Sequence, residues 1–139
     1  LFKTVTSYQH LLKYLKTTPS TYWKHHHFFG KSSKRALSGL GDKSLFNMVI
    51  NTVVPLLAAY GLYQDNTIYM ERAVQFLEQI PPEENKITRL WKELGFKSRS
   101  AYDSQAQIQL YNKMCTKNNC LSCTIGTALM KSSEVLKTT

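Results

Sequence analysis

Residues 44–60 constrain this chain more than any other stretch. Leu45, Phe46, Val49, Ile50, Val53, Val54, Leu56 and Leu57 recur at helical spacing and cover most of the circumference of one helix. A helix that is apolar nearly all round must be buried by its neighbours. The sequence therefore expects a central helix with others packed about it. Pro55 sits inside that run, and because it lacks an amide hydrogen and crowds the preceding turn, the helix is expected to kink or restart there. Asn47 and Asn51, four apart, would share one face, where buried amides need partners. Gly61 is expected to close the helix.

The helical period continues on both sides. Val5, Tyr8, Leu11, Leu12 and Leu15 form an apolar stripe on a first helix beginning near Thr6 or Ser7 and ending before Pro19. Ser20 is placed to cap a short helix through Tyr22, Trp23 and the run His25, His26, His27, ended by Gly30. After the central helix, Asn66 caps a helix through Ile68, Ala73, Phe76 and Ile80 that Pro81 and Pro82 stop. A helix over residues 83–94 carries Ile87, Leu90, Trp91 and Leu94, with Gly95 as its C-terminal cap and Glu83 and Glu84 in its first turn. Ser100 or Asp103 starts the next, and Cys123 opens the last, through Ile125, Leu129 and Met130. No segment of four or more residues alternates in the manner of a strand. The fold class is all-α: a compact single domain of five to seven helices, residues 1–139, with a cysteine-rich loop between the last two.

A length of 139 residues with 42% hydrophobic content suits one core. The longest apolar run, residues 53–59 with Pro55 inside, falls well short of the roughly 20 residues of a membrane span, so no membrane partner is expected. The N-terminus, Leu1-Phe2-Lys3-Thr4, has neither an initiator Met nor a signal-peptide plan, which reads as a fragment or a processed product.

The net charge of +9 is unevenly spread. Residues 1–43 hold eight Lys and Arg against one acid, residues 44–84 one against five, and residues 85–139 nine against three. Such a field favours polyanions. Residues 30–44, rich in Gly, Ser and Lys and without a period, are expected to form a flexible basic loop in which Lys31, Lys34 and Arg35 are the candidate nucleic-acid contacts. The loop lacks the spacing of a phosphate-binding P-loop. The run His25, His26, His27 with Trp23, Phe28 and Phe29 reads first as a helix edge packed on a neighbour, and second as a surface that stacks on bases or binds metal.

Chemistry concentrates in Cys115, Cys120 and Cys123, the only cysteines. The spacing C-x4-C-x2-C matches the first three ligands of a plant-type iron–sulfur pattern and lacks the fourth. An odd, clustered set fits a reducing compartment, hence the cytoplasm, better than a disulfide framework. Three readings stand side by side: a structural zinc held by the three thiolates and one further donor, three reduced cysteines packed under a loop, or redox chemistry at the thiols.

Several short runs together resemble an uncharacterised family of Bacteroidota proteins catalogued as domain of unknown function 2851. They are Tyr22-Trp23 with His26 and Gly30, Asn51 to Pro55 with Ala59-Tyr60-Gly61, Glu84-Asn85-Lys86, Asp103-Ser104-Gln105, and the three cysteines with Ile125-Gly126. The resemblance runs from about Tyr22 to Met130 and implies the C-terminal part of a longer protein. The longer members' N-terminal part looks like a nuclease core and is absent from this sequence. His26, which falls on the family's motif, is by that resemblance the candidate fourth metal ligand beside Cys115, Cys120 and Cys123, and His10 is a weaker one. An iron–sulfur cluster is the rival cofactor and would need a cysteine from the absent part.

No paired carboxylates, Ser-His-Asp set or cofactor fingerprint stands out, and helix capping accounts for Asp103 and Ser104, so no catalytic residue is assigned. The functional expectation is a helical accessory module associated with nucleic acid and clipped by a metal. Its alternative is a metal-free scaffolding domain that packs on the absent N-terminal region.

Overall fold

The computed structural model describes residues 4, 5 and 7–135. Thr6, one of the two starts expected for the first helix, and the first three residues lie outside them. The helical class holds: six helices form among the described residues, with one two-stranded hairpin. The chain divides into two compact units, Leu1–Ile80 and Pro81–Thr139.

In the first unit, α1 (Tyr8–Leu15) is capped by Ser7, whose hydroxyl accepts from the His10 amide at 3.3 Å. The expected short helix over the next segment does not form. Residues 21–24 turn, and β1 (His26–Phe28) pairs antiparallel with β2 (Lys31–Ser32). Three β-branch-poor histidines and two phenylalanines offer little helical drive, and Gly30, with φ +72°, supplies the left-handed residue that a two-residue reversal needs.

The central helix begins at Asp42, two residues earlier than expected, and runs unbroken to Tyr63 as α2 (Asp42–Met48), a π-helical turn (Val49–Val53) and α3 (Val54–Tyr63). Pro55 explains the π turn. Widening the helix just before the proline, with the Val54 amide donating to the Val49 carbonyl five residues back, places Pro55 in the first turn of α3, where a missing amide costs little. This helix is less enclosed than its composition suggests. Leu45, Val49, Ile50, Val54 and Leu57 are buried, whereas Met48, Leu56 and Leu62 are exposed. Asn47 and Asn51 also lie on the exposed side, contrary to the expected buried face; the Asn51 amide donates to the Asn47 carbonyl at 3.0 Å. At 22 residues the helix is long and apolar enough to cross a membrane by length and composition, which corrects the expectation that no segment comes near a span. Its buried face is the core of this unit.

Gly61 is inside α3 and not at its end. A Cβ there would lie 3.0 Å from Met70 Cγ and 3.1 Å from both the Asn66 carbonyl and Tyr69 Cβ, so glycine is what lets α4 (Thr67–Gln79) approach. The chain stops later, at Asp65, whose φ of 48° is left-handed. The Asn66 amide reaches back to the Gly61 carbonyl (2.9 Å) and the Asp65 amide to that of Leu62 (3.2 Å), a Schellman motif. Asn66 then caps α4 as expected, its Oδ1 accepting from the Ile68 amide at 3.1 Å. Ala73, Phe76 and Ile80 bury the inner face of α4.

In the second unit, α5 (Lys86–Glu93) starts three residues later than the expected position because Asn85 outcompetes the glutamates as cap. Its Oδ1 accepts from the Ile87 and Thr88 amides (2.9 and 3.0 Å), and Thr88 Oγ1 accepts from the Asn85 amide (2.9 Å), closing a capping box. Gly95, φ +92°, ends α5 as expected. The Phe96 amide donates to the Trp91 carbonyl at 2.9 Å, and the two rings meet edge to face at 5.6 Å, the apolar contact that accompanies a Schellman end.

Ser104 and Asp103 lie within α6 (Ala101–Lys113), so neither is the cap that their spacing suggested. Asp103 instead accepts from the Arg99 amide at 2.8 Å. Ser104, fully buried, accepts from the Glu83 amide at 3.1 Å and donates to the Ala101 carbonyl at 3.0 Å. Gln105 donates to the Glu83 carboxylate, so the glutamate latches onto α6 and does not open α5. Ser104→Ala leaves the Glu83 amide without its partner. The expected result is a loss of about 1–3 kcal/mol in unfolding free energy, read in urea as a lower midpoint at unchanged slope.

Candidate functional site

The cysteine loop follows α6 directly. Its first turn, Cys115–Lys117, ends at Asn118, a left-handed residue with φ 55° that asparagine tolerates better than most. The Asn119 amide returns to the Met114 carbonyl at 3.0 Å. A second turn, Cys120–Ser122, leads into α7 (Thr124–Val135). Gly126 permits this, since a Cβ there would come 2.5 Å from the Cys120 carbonyl oxygen. Cys115 and Cys120 are exposed and Cys123 is buried, with the Cys123 carbonyl accepting from the Thr127 amide at 2.8 Å.

His26 lies on β1, in the other unit. Its Nδ1 donates to the Tyr22 carbonyl at 2.8 Å, which leaves only Nε2 for any ligand. Among the described residues, no group of three or more His, Cys, Asp or Glu is placed to hold a metal ion. As arranged, the three thiols are not a ready chelate, and a metal would have to draw its donors together.

The hairpin gathers more. Tyr22 stacks on His26 (4.0 Å between centroids, 5° between planes), Trp23 meets Tyr22 edge-on at 5.1 Å, and Phe29 meets Trp23 edge-on at 4.9 Å. The Tyr22 hydroxyl accepts from the Gly30 amide at 3.1 Å, so the cluster also fixes the tip. The expected packing on a neighbour is not seen for two of these rings among the described residues. Phe28 and Phe29 are 71% and 83% exposed. Lys31 is on β2, and Lys34 and Arg35 follow in a turn held by the Ser33 hydroxyl, which donates to the Arg35 carbonyl at 3.1 Å and accepts from its amide at 3.3 Å. None of the three cationic ends has a hydrogen bond or ion pair among the described residues.

The sequence points to the three cations directly, but offers Phe28 and Phe29 as a base-stacking surface only as its second reading and gives no such role to Tyr22. The available signal was Gly30 between Phe29 and Lys31, a turn residue read as a helix stop. A cavity of about 1010 Å³ in the second unit has less to offer: Gln107, on its lining, is already engaged, accepting from the Ser98 hydroxyl (2.8 Å) and donating to the Phe96 carbonyl (3.3 Å).

A family model described as protein of unknown function, DUF2851, matches residues 1–86. The match takes in the hairpin and the central helix and ends before α6, the cysteine loop and Ile125-Gly126, so the resemblance noted for those later runs lies outside it. No curated protein and no solved structure matches the chain. The exposure pattern makes one outcome definite. Brief alkylation of the native protein labels Cys115 and Cys120 and spares Cys123, a pattern that peptide mass mapping reads directly; equal labelling of all three would contradict the buried position of Cys123.

Proposed function

We propose, for a chain that belongs to the DUF2851 family of proteins of unknown function, that the 22–35 hairpin region binds single-stranded nucleic acid. One observation carries the reading: two solvent-facing phenylalanines at a hairpin tip stand beside three cations without partners among the described residues. Exposed aromatic faces stack on unpaired bases regardless of sequence, while cations follow the phosphates. Bases inside a duplex present no free face to such a tip, so single strands are the better match. The excess of eight cations over one acid in residues 1–43 would steer the encounter.

Anisotropy titrations of a labelled single-stranded 12-mer at two or more salt concentrations test this. Each of Lys31→Ala, Lys34→Ala and Arg35→Ala is expected to lower the slope of log affinity against log salt by roughly 0.7. Phe29→Ala is expected to cost about 1–3 kcal/mol per lost stack with the slope unchanged. Affinity that ignores salt, or a Phe29→Ala protein that binds like the parent, ends the reading. The exposed Met48, Leu56 and Leu62 favour a scaffolding role as the second reading, and it is the one left standing if no oligonucleotide binds at low salt.

Zinc at Cys115, Cys120 and Cys123, completed by one further donor, is a separate proposal, supported by the soft donor set alone. Elemental analysis of protein purified without a His-tag decides it: one zinc per chain, lost with the Cys123→Ser substitution, is the expected result, and zinc and iron both far below stoichiometry remove it.

A further inference from the structure

At the foot of the hairpin lies a crevice of about 360 Å³, lined by residues that include Pro19, Trp23, His26, His27, Leu37 and Gly39. Three segments of one unit build it: the chain leaving α1, the first half of the hairpin, and the loop after Arg35. The Leu37 amide donates to the Lys24 carbonyl at 2.6 Å, pinning that loop to the hairpin. Gly39 passes so near the chain leaving α1 that a Cβ would lie 2.2 Å from the Thr17 carbonyl oxygen, so this wall can close only with glycine.

The volume sits at the low end of the roughly 300–1,000 Å³ of small-molecule sites. It suits one flat ring system and not a stack of several. Trp23 supplies an aromatic wall, and Pro19 and Leu37 supply apolar ones. His26 supplies the polar feature. With Nδ1 donating to the Tyr22 carbonyl, the neutral ring keeps Nε2 as an acceptor, and the Tyr22 ring stacked at 4.0 Å fixes its plane. An indole wall beside a fixed acceptor is matched by a planar ligand that carries N–H donors.

We propose that this crevice takes one unpaired nucleobase of the strand held by the hairpin, with an N–H of the base donating to His26 Nε2. The proposal rests on the nucleic-acid reading above and adds a defined subsite to it. The phosphates stay outside on Lys31, Lys34 and Arg35, and the base enters edge first, as in other sites that read an unstacked base.

Ser38, exposed on the crevice lining, gives the test. Ser38→Phe fills the space without touching the tip or the three cations. It is expected to weaken binding of the single-stranded 12-mer about tenfold, within the range of one lost base stack, at an unchanged salt slope. A second measurement is independent of that variant's folding. In a protein carrying Phe28→Ala and Phe29→Ala, which removes the tip stacks, 2-aminopurine riboside fluorescence is expected to be quenched saturably. If Ser38→Phe binds the 12-mer like the parent, or the riboside is not quenched, while Lys31→Ala and Phe29→Ala still weaken binding, the crevice proposal falls and the hairpin reading survives. If the parent protein binds no oligonucleotide at low salt, both fall.

Discussion

Among the described residues, four held at positive φ set the turning points on which the rest of the structure depends: Gly30, Asp65, Gly95 and Asn118. Each sits where a segment must reverse within one or two residues, and a left-handed residue does this while letting the next amides reach back to open carbonyls. Asp65 ends α3 so abruptly that Asn66 both completes that end and begins α4. The seam at Gly61 follows, because a longer connection would not bring Tyr69 and Met70 against it. Gly95 brings Phe96 back over Trp91, and Asn118 separates the two turns that carry Cys115 and Cys120. Two of the four are not glycine, and an L residue in this region bears a local cost. Asp and Asn bear it best, since their short polar side chains are compatible with the conformation.

The hairpin depends on the same device at Gly30, and the functional reading depends on the hairpin. With Gly30 reversing the chain between Phe29 and Lys31, rings and cations from one short segment fall side by side, and the Tyr22 hydroxyl holds the tip through the Gly30 amide. A helix over the same residues would have spread them around its circumference. Local closure therefore does what no long-range contact is needed to do. It gathers exposed rings and cations within one short segment of a small unit. The cysteines are also close in sequence, yet their turns leave two thiols exposed and one buried. Closeness along the chain produces a site only when the backbone also brings the side chains to one point.

Much of the helical plan was legible in the sequence. Ser7, Asn66 and Gly95 act where their positions indicated, since caps and stops depend on the backbone within one turn. Lys31, Lys34 and Arg35 could be named because exposed cations follow from composition. The misreadings share a cause. Ser104 looked like a cap, but its partner is the Glu83 amide, 21 residues away. Glu83 looked like the first turn of a helix, but Asn85 and Thr88 formed a better box. The apolar count around residues 44–60 implies burial on every side and so puts Asn47 and Asn51 on a buried face, whereas both are exposed.

By itself the sequence determined that this chain is helical, where most of its helices start and stop, and that its first third is strongly basic. Those properties follow from spacing and from the local competition of side chains for backbone groups. Only the tertiary structure decided which face of the 42–63 helix is covered, that the aromatic segment is an exposed hairpin, and that Ser104 and Glu83 latch two segments together. The physical reason is that burial and partnership belong to pairs of surfaces. A residue's neighbours along the chain do not determine which surface it will meet.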